Sequence, residues 1–303
     1  MDTTTHARIL AAIDTHHGCL TTADAQELGI HKVTLKRASD EGLIDRLARG
    51  VYGRPGDGTA SLVAAAADAG REATLSYRGA GTFYGLDAVQ LVPFEWSVPH
   101  GRRTHHPLIH ERRRFDELAT VEIDGVKVTT IEQTLVDLAM AEHPDVLERA
   151  VESAIRMKLT TDRALREFAS VDAASRLGAP RLRVVLRRRP VDARPTGSDV
   201  ETICLQEYRQ RGVPEPERQY AIVVDGVIVA FGDFGWSPWR FITEIDGFDT
   251  HGDPIALEND LHRQNWMSDL GHTYRRFTYR DVMQRPAYVC HETMLGLLEA
   301  KRL

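Results

Sequence analysis

Apolar residues near the N-terminus recur at helical spacing, at Ile9, Leu10 and Ile13, and Gly18 follows as a stop. The next stretch, CLTTADAQELGI, predicts a short helix through Leu28, capped by Thr21 or Thr22, with Gly29 just past its end. After a tight turn, HKVTLKRASDEGLI predicts a second amphipathic helix. Val33, Leu35 and Ala38 are expected inward, with Lys32, Lys36 and Arg37 outward. LIDRLARGVYGRPG then alternates short apolar runs with Arg46, Arg49 and Arg54, the pattern of a small basic hairpin.

Further along, the Ala-rich TASLVAAAADAG predicts a core helix, and ATLSYRGAGTFYGL predicts a short strand and a helix of small residues. From Phe94 to Val128 the period changes to that of strands, with Asp124-Gly125 as a hairpin turn. Helices resume at TIEQTLVDLAM, capped by Thr129 or Thr130, and at VLERAVESAIRMKLTT. The helix PRLRVVLRRRP runs into a Pro-containing stretch at 190–197, the clearest expected domain boundary. Beyond it, SDVE has a capping-box pattern, with Ser198 as N-cap and Glu201 three residues on. QYAIVVDGVIVAFGDFGW then reads as a β-hairpin around Asp225-Gly226, and WRFITEIDG as the next strand after a turn at Ser237-Pro238. The outcome is a multidomain α/β (α+β) chain divided at 1–56, 57–190 and 197–303.

A chain of 303 residues fits that division, since one hydrophobic core rarely grows so large. The formal charge of −6 argues against a uniformly basic nucleic-acid binder but leaves room for local basic patches. Cys19, Cys204 and Cys290 lie far apart, which excludes a disulfide framework or a Cys-rich zinc site and points to a reducing compartment. No signal-peptide pattern opens the chain and no run is long enough to span a bilayer, so a cytoplasmic protein without a membrane partner is expected. The basic run at 101–114 carries three histidines, His105, His106 and His110, whose spacing matches no metal site. They and the basic residues around them read as a solvated surface.

Helix, helix, basic helix and basic hairpin over residues 6–54 is what a winged helix-turn-helix needs to lay one helix in a major groove and a strand on phosphates. A small helical domain with a basic surface is the competing reading. LTTADAQELGI followed by a basic helix and LARGVYGRPG resembles the N-terminal domain of the AbiEi family of antitoxin-type transcriptional regulators. The resemblance extends to about residue 190, through GVKVTTIEQTLVDLA and a Ser-x-x-Ala-like segment at Ser76 that departs at Gly79. It implies DNA as partner, with Lys32, Lys36, Arg37, Arg46 and Arg49 as contacts.

Chemistry concentrates between Asp233 and His251. Acidic residues within an apolar strand pattern are costly to bury unless paired or coordinated. Alternation puts Glu244 and Asp246 on one side of a strand, and antiparallel pairing brings Asp233 opposite residues 242–244. Three carboxylates are therefore expected to converge as oxygen ligands for Mg²⁺ or Mn²⁺. Local readings compete: Glu201 as a capping partner, Asp246 as a turn residue, His251 as a surface histidine.

A helical glutamate, a hairpin, an aspartate in one strand and E-x-D-G ending the next resemble the restriction-endonuclease-like PD-(D/E)xK fold. Within it the nearest resemblance is to DUF559-type domains related to very-short-patch repair endonucleases. That likeness spans 197–300 and implies Asp233, Glu244 and Asp246 as metal ligands. Glu201 would hold a metal-bound water, His251 would be a general base, and Arg263 or Arg276 would contact phosphate. The lysine of the fold's E-x-K pattern is replaced by Asp246, and that lysine is also absent in the repair-endonuclease-like branch. Two functions follow. One is a metal-dependent DNA endonuclease acting in defence or a toxin–antitoxin-type system, a homodimer if it cuts both strands. The other is an antitoxin-like transcriptional regulator whose nuclease-fold domain is catalytically silent.

Overall fold

The computed structural model describes residues 2–15, 19–48, 50–56, 73–89, 95–101, 109–123, 126–246, 266–267 and 269–302. It divides into two compact units, Met1–Ala141 and Glu142–Leu303. Helices and three sheets alternate among the described residues, in keeping with the expected α+β class.

The first unit begins with α1 (Thr3–Thr15), β1 (Cys19–Thr21), α2 (Thr22–Glu27), α3 (Lys32–Asp40), β2 (Asp45–Ala48) and β3 (Val51–Gly53). Of the two threonines considered as caps, Thr21 serves: its Oγ1 accepts the Asp24 N–H at 3.0 Å. The turn into α3 depends on Gly29 at φ +71°, a left-handed conformation that is cheap only without a side chain. Next to it, the Ile30 N–H donates to the Ala25 carbonyl at 2.7 Å. Ile9, Ile13, Leu20, Ile30, Leu35, Ala38 and Ile44 form the core beneath, and β1-β3-β2 is an antiparallel three-stranded sheet that contains the β2–β3 hairpin. One expectation is corrected. Val33 points outward and is 61% exposed, because residues two apart on a helix lie on nearly opposite faces and Leu35 takes the core.

The same unit continues with β4 (Thr74–Ser76), α4 (Tyr77–Phe83), β5 (Glu95–Pro99), β6 (Ile109–Arg112), β7 (Thr120–Ile123), β8 (Val126–Thr129) and α5 (Ile131–Ala141). The five strands form one sheet in the order β6-β5-β4-β8-β7. Ile123 pairs with Val126 across the expected hairpin; its turn residues Asp124 and Gly125, and the helix expected at 59–70, lie outside the described residues. Gly79 has a packing reason: a Cβ there would stand 2.5 Å from the backbone nitrogen of Glu95, so α4 reaches β5 only with no side chain.

The second unit opens with α6 (Pro144–Arg156), α7 (Asp162–Ser170), α8 (Ala179–Arg188) and α9 (Asp199–Gln210). A mixed sheet follows: β9 (Glu217–Val224), β10 (Val227–Trp236), β11 (Phe241–Asp246) and β12 (Thr273–Thr278), in the order β12-β11-β10-β9. Helices α10 (Tyr279–Gln284) and α11 (Pro286–Ala300) close it. The β9–β10 turn has Asp225 at φ +51° and Gly226 at φ +80°, the positive pair whose twist suits a two-residue hairpin. β10 and β11 run antiparallel, whereas β11 and β12 run parallel. Tyr208, Phe234, Trp236, Phe241 and Phe277 pack in one core; Ile222, Ile242 and Met267 pack in a separate one.

The division between units falls at Ala141/Glu142, and the stretch 190–197 lies inside the second unit. Its proline and glycine end one helix and start the next without separating two bodies. Buried charge explains this. Glu152 of α6 is 1% exposed and meets Arg189, just past α8, at 2.5 Å and Arg218 of β9 at 2.5 Å. The Thr196 N–H donates to the same carboxylate at 3.3 Å. Removing one member of such a cluster strands the others without compensation. Glu152→Gln is therefore expected to lower stability by about 3–5 kcal/mol, read as a shift in the urea or thermal unfolding midpoint.

Candidate functional site

The exposed surface of α3 carries His31, Lys32, Val33, Lys36, Arg37 and Asp40 from its N-cap onward. The His31 ring nitrogen Nδ1 accepts the Val33 N–H at 3.3 Å and so caps the helix. Lys36 pairs with Asp40 at 2.6 Å and Arg37 with Glu41 at 2.8 Å. These are one-turn surface pairs, worth little each and readily exchanged for a phosphate. In and just after the β2–β3 hairpin, Arg46 is exposed on β2, and Arg54 forms a two-pronged contact with Asp14 at 2.7 and 2.8 Å. Arg49 lies outside the described residues. Residues 1–56 hold seven basic and seven acidic side chains, so attraction for a polyanion has to come from where the cations stand rather than from net charge.

In the second unit, β10 and β11 pair as Phe234 with Thr243, Gly235 with Ile242 and Trp236 with Phe241. Continued one step, that register sets Asp233 across from Glu244, as expected. The backbone ladder stops there, however. Asp233 turns its carboxylate into the gap, where Oδ2 accepts the Ile245 N–H at 2.7 Å. The strand also changes face at this point: Ala230 packs with Ile222 and Ile242, while Phe234 packs in the core that holds Tyr208.

Along β11 the expected alternation holds. Ile245 joins the core on one side, and Thr243 meets the Tyr208 hydroxyl there at 3.2 Å. Glu244 is 8% exposed and accepts a short hydrogen bond from the Tyr274 hydroxyl of β12. Asp246 is engaged by Arg276, whose Nε stands 3.2 Å from Oδ1 in addition to a closer contact through a terminal nitrogen. Arg276, one of two expected phosphate contacts, is thus held by an acid of the same sheet. The other, Arg263, and the expected base His251 lie outside the described residues.

Glu201 occupies the first turn of α9, where its backbone N–H reaches the Ser198 hydroxyl at 3.3 Å. Its carboxylate accepts the Gly197 N–H at 2.6 Å, the Ser198 hydroxyl at 2.9 Å and the Gln219 amide at 3.1 Å. Gln219 reaches it from β9 in a left-handed conformation, φ +47°. Burial pushes the Glu201 carboxyl above its ordinary 4.5, against the pull of these three donors. Burial likewise raises the Cys204 thiol one turn on, with Asp233 and Glu201 adding to the shift. Neither Tyr274 nor Gln219 stood out in the sequence, since each meets its acid only through strand register.

A divalent cation of the magnesium type needs carboxylate oxygens turned toward a common point, with water completing the shell. Here Asp233, Glu244, Asp246 and Glu201 each spend oxygens on N–H or O–H donors of the fold. Among the described residues no group of three or more His, Cys, Asp or Glu side chains is placed to hold a metal ion. The expected convergence of three carboxylates is therefore not found among them. Strand register sets which residues oppose one another, but hydrogen-bond demand decides where each carboxylate ends.

A carboxyl whose pKa is raised on folding holds its proton more tightly folded and releases it more readily when unfolded. Its contribution is present at low pH and lost as pH rises from 4.5 through its higher folded value. Unfolding free energy measured across that range should show a decline in the wild type that Glu201→Gln removes.

Among the described residues no helix is long and apolar enough to cross a membrane. No curated protein matches the chain. Residues 7–55, from within α1 to just past β3, match the family described as "Transcriptional regulator, AbiEi antitoxin". The N-terminal segment of three helices and a three-stranded sheet is therefore similar to a region of AbiEi-type antitoxin regulators.

Proposed function

We propose that this protein is a DNA-binding transcriptional regulator of the antitoxin type, that α3 enters a major groove, and that the β2–β3 wing lies along the backbone. The observation that carries the reading is a coincidence of two boundaries. The family match at 7–55 falls on the segment that folds around its own core into three helices and a three-stranded sheet. Lys32, Lys36, Arg37 and Arg46 are all exposed on that segment, as phosphate or base contacts require. In this reading the second unit is a nuclease-like module that contacts DNA or joins two copies without cutting. Its acids serve the fold: one caps a helix, one fills a ladder gap and two bind partners on β12.

A metal-dependent endonuclease is the second reading. What favours it is element order: helix, antiparallel hairpin, a third strand and a parallel fourth, with Asp233 near the end of the hairpin and Glu244 in the next strand. That order agrees with the layout expected of a PD-(D/E)xK domain.

The two readings share one expected outcome and divide on another. Fluorescence anisotropy on duplex DNA over a salt series should show binding that weakens with salt. Lys32→Ala and Lys36→Ala should each reduce the slope of log affinity against log salt by about one. Unchanged affinity and slope in both variants would remove α3 from the interface. On supercoiled plasmid with Mg²⁺ or Mn²⁺, the regulator reading expects no nicking. Nicking that requires the metal and vanishes in a folded Asp233→Ala variant would establish the nuclease instead.

A further inference from the structure

Every basic side chain in and around α3 has an obvious electrostatic use, but Val33 does not. It sits in the first turn of the helix with 61% of its surface exposed, the most exposed large apolar residue of the N-terminal segment 2–56 as described. Burial does not account for it, because Leu35 and Ala38 supply the inward face. Helix propensity does not account for it either, since a β-branched residue is a poor choice on a solvated helix surface. A lone exposed valine is unremarkable on most surfaces. Its surroundings set this one apart. Lys36 and Arg37 stand three and four positions on, on the same face, and Lys32 directly precedes it. The helix so presents an apolar tip framed by three cations, near its N-terminal end.

We infer that Val33 is a specificity-determining residue that contacts the 5-methyl group of a thymine in the major groove, while the framing cations hold the phosphates on either side. The inference rests on the DNA-binding reading above and names which chemical feature of the duplex that surface selects. In the major groove the thymine methyl is the apolar group that an uncharged branched side chain can recognise, whereas the other base edges present hydrogen-bond donors and acceptors that valine cannot satisfy. A methyl contact also discriminates without adding charge, which suits a domain whose acidic and basic residues balance.

The experiment uses the full chain. A preferred duplex is first enriched from a random pool with the wild type, and each thymine is then replaced singly by deoxyuridine, which lacks only the methyl group. At one or two positions the wild type should bind about fourfold more weakly, the loss expected for one buried methyl-sized group. Val33→Ala should bind the parent duplex more weakly by a similar factor and be indifferent to deoxyuridine at those same positions. Its thermal midpoint should not fall, since the side chain is largely exposed and alanine is the better helix former. Enrichment of a duplex whose thymines all tolerate deoxyuridine, or an identical deoxyuridine profile in wild type and Val33→Ala, overturns the inference while leaving DNA binding intact. Failure to enrich any duplex overturns the DNA-binding reading, and the inference with it.

Discussion

A carboxylate without partners cannot remain ionised in a protein interior, and Glu152 is held there by two guanidinium groups that come from different parts of the chain. Arg189 follows α8, and Arg218 belongs to the first strand of the C-terminal sheet. The cluster therefore ties the helices of 144–188 to the sheet of 217–278 and also holds the proline-containing stretch between them, through the Thr196 N–H. A second set of pairs runs alongside: Arg149 with Asp199 at 2.5 Å, and Arg209 with both Glu148 and Glu215. Together they make one unit of what the local sequence reads as the end of one domain and the start of another.

That unit has consequences for the acids of its sheet. Asp233, Glu244, Asp246 and Glu201 have the composition of a metal site, yet each is already answered by a donor from the surrounding fold. A carboxylate held by a backbone N–H, a tyrosine hydroxyl or an arginine is stabilised as a structural group. The same residue types thus serve two chemistries, and partner geometry distinguishes them. The N-terminal segment differs: its cations are exposed and weakly paired, so they can exchange an internal acid for an external phosphate at little cost.

Local order was legible wherever a short-range rule applied. The cap at Thr21, the turn at Gly29, the hairpin at Asp225-Gly226 and the helix beginning at Ser198 all depend on residues within a few positions of one another. The alternation of Thr243, Glu244 and Ile245 followed from strand geometry alone. Val33 shows the limit of a pattern read without angular phase: three apolar residues at 33, 35 and 38 look like one face, but only 35 and 38 share it.

What the sequence determined by itself is the set of elements and their types, including two short helices joined by a tight turn and followed by a hairpin, and an α+β C-terminal region with acids in its strands. Tertiary structure alone decided where the units divide, which acid meets which donor, and that the carboxylates of β10 and β11 do not gather to one point among the described residues. The physical reason is range. Capping, turn formation and side-chain alternation act over two to five residues and leave their mark in the local sequence. The bonds of Glu152 to Arg218 and of Glu244 to Tyr274 join residues 66 and 30 positions apart, and depend on a register that only the folded chain supplies.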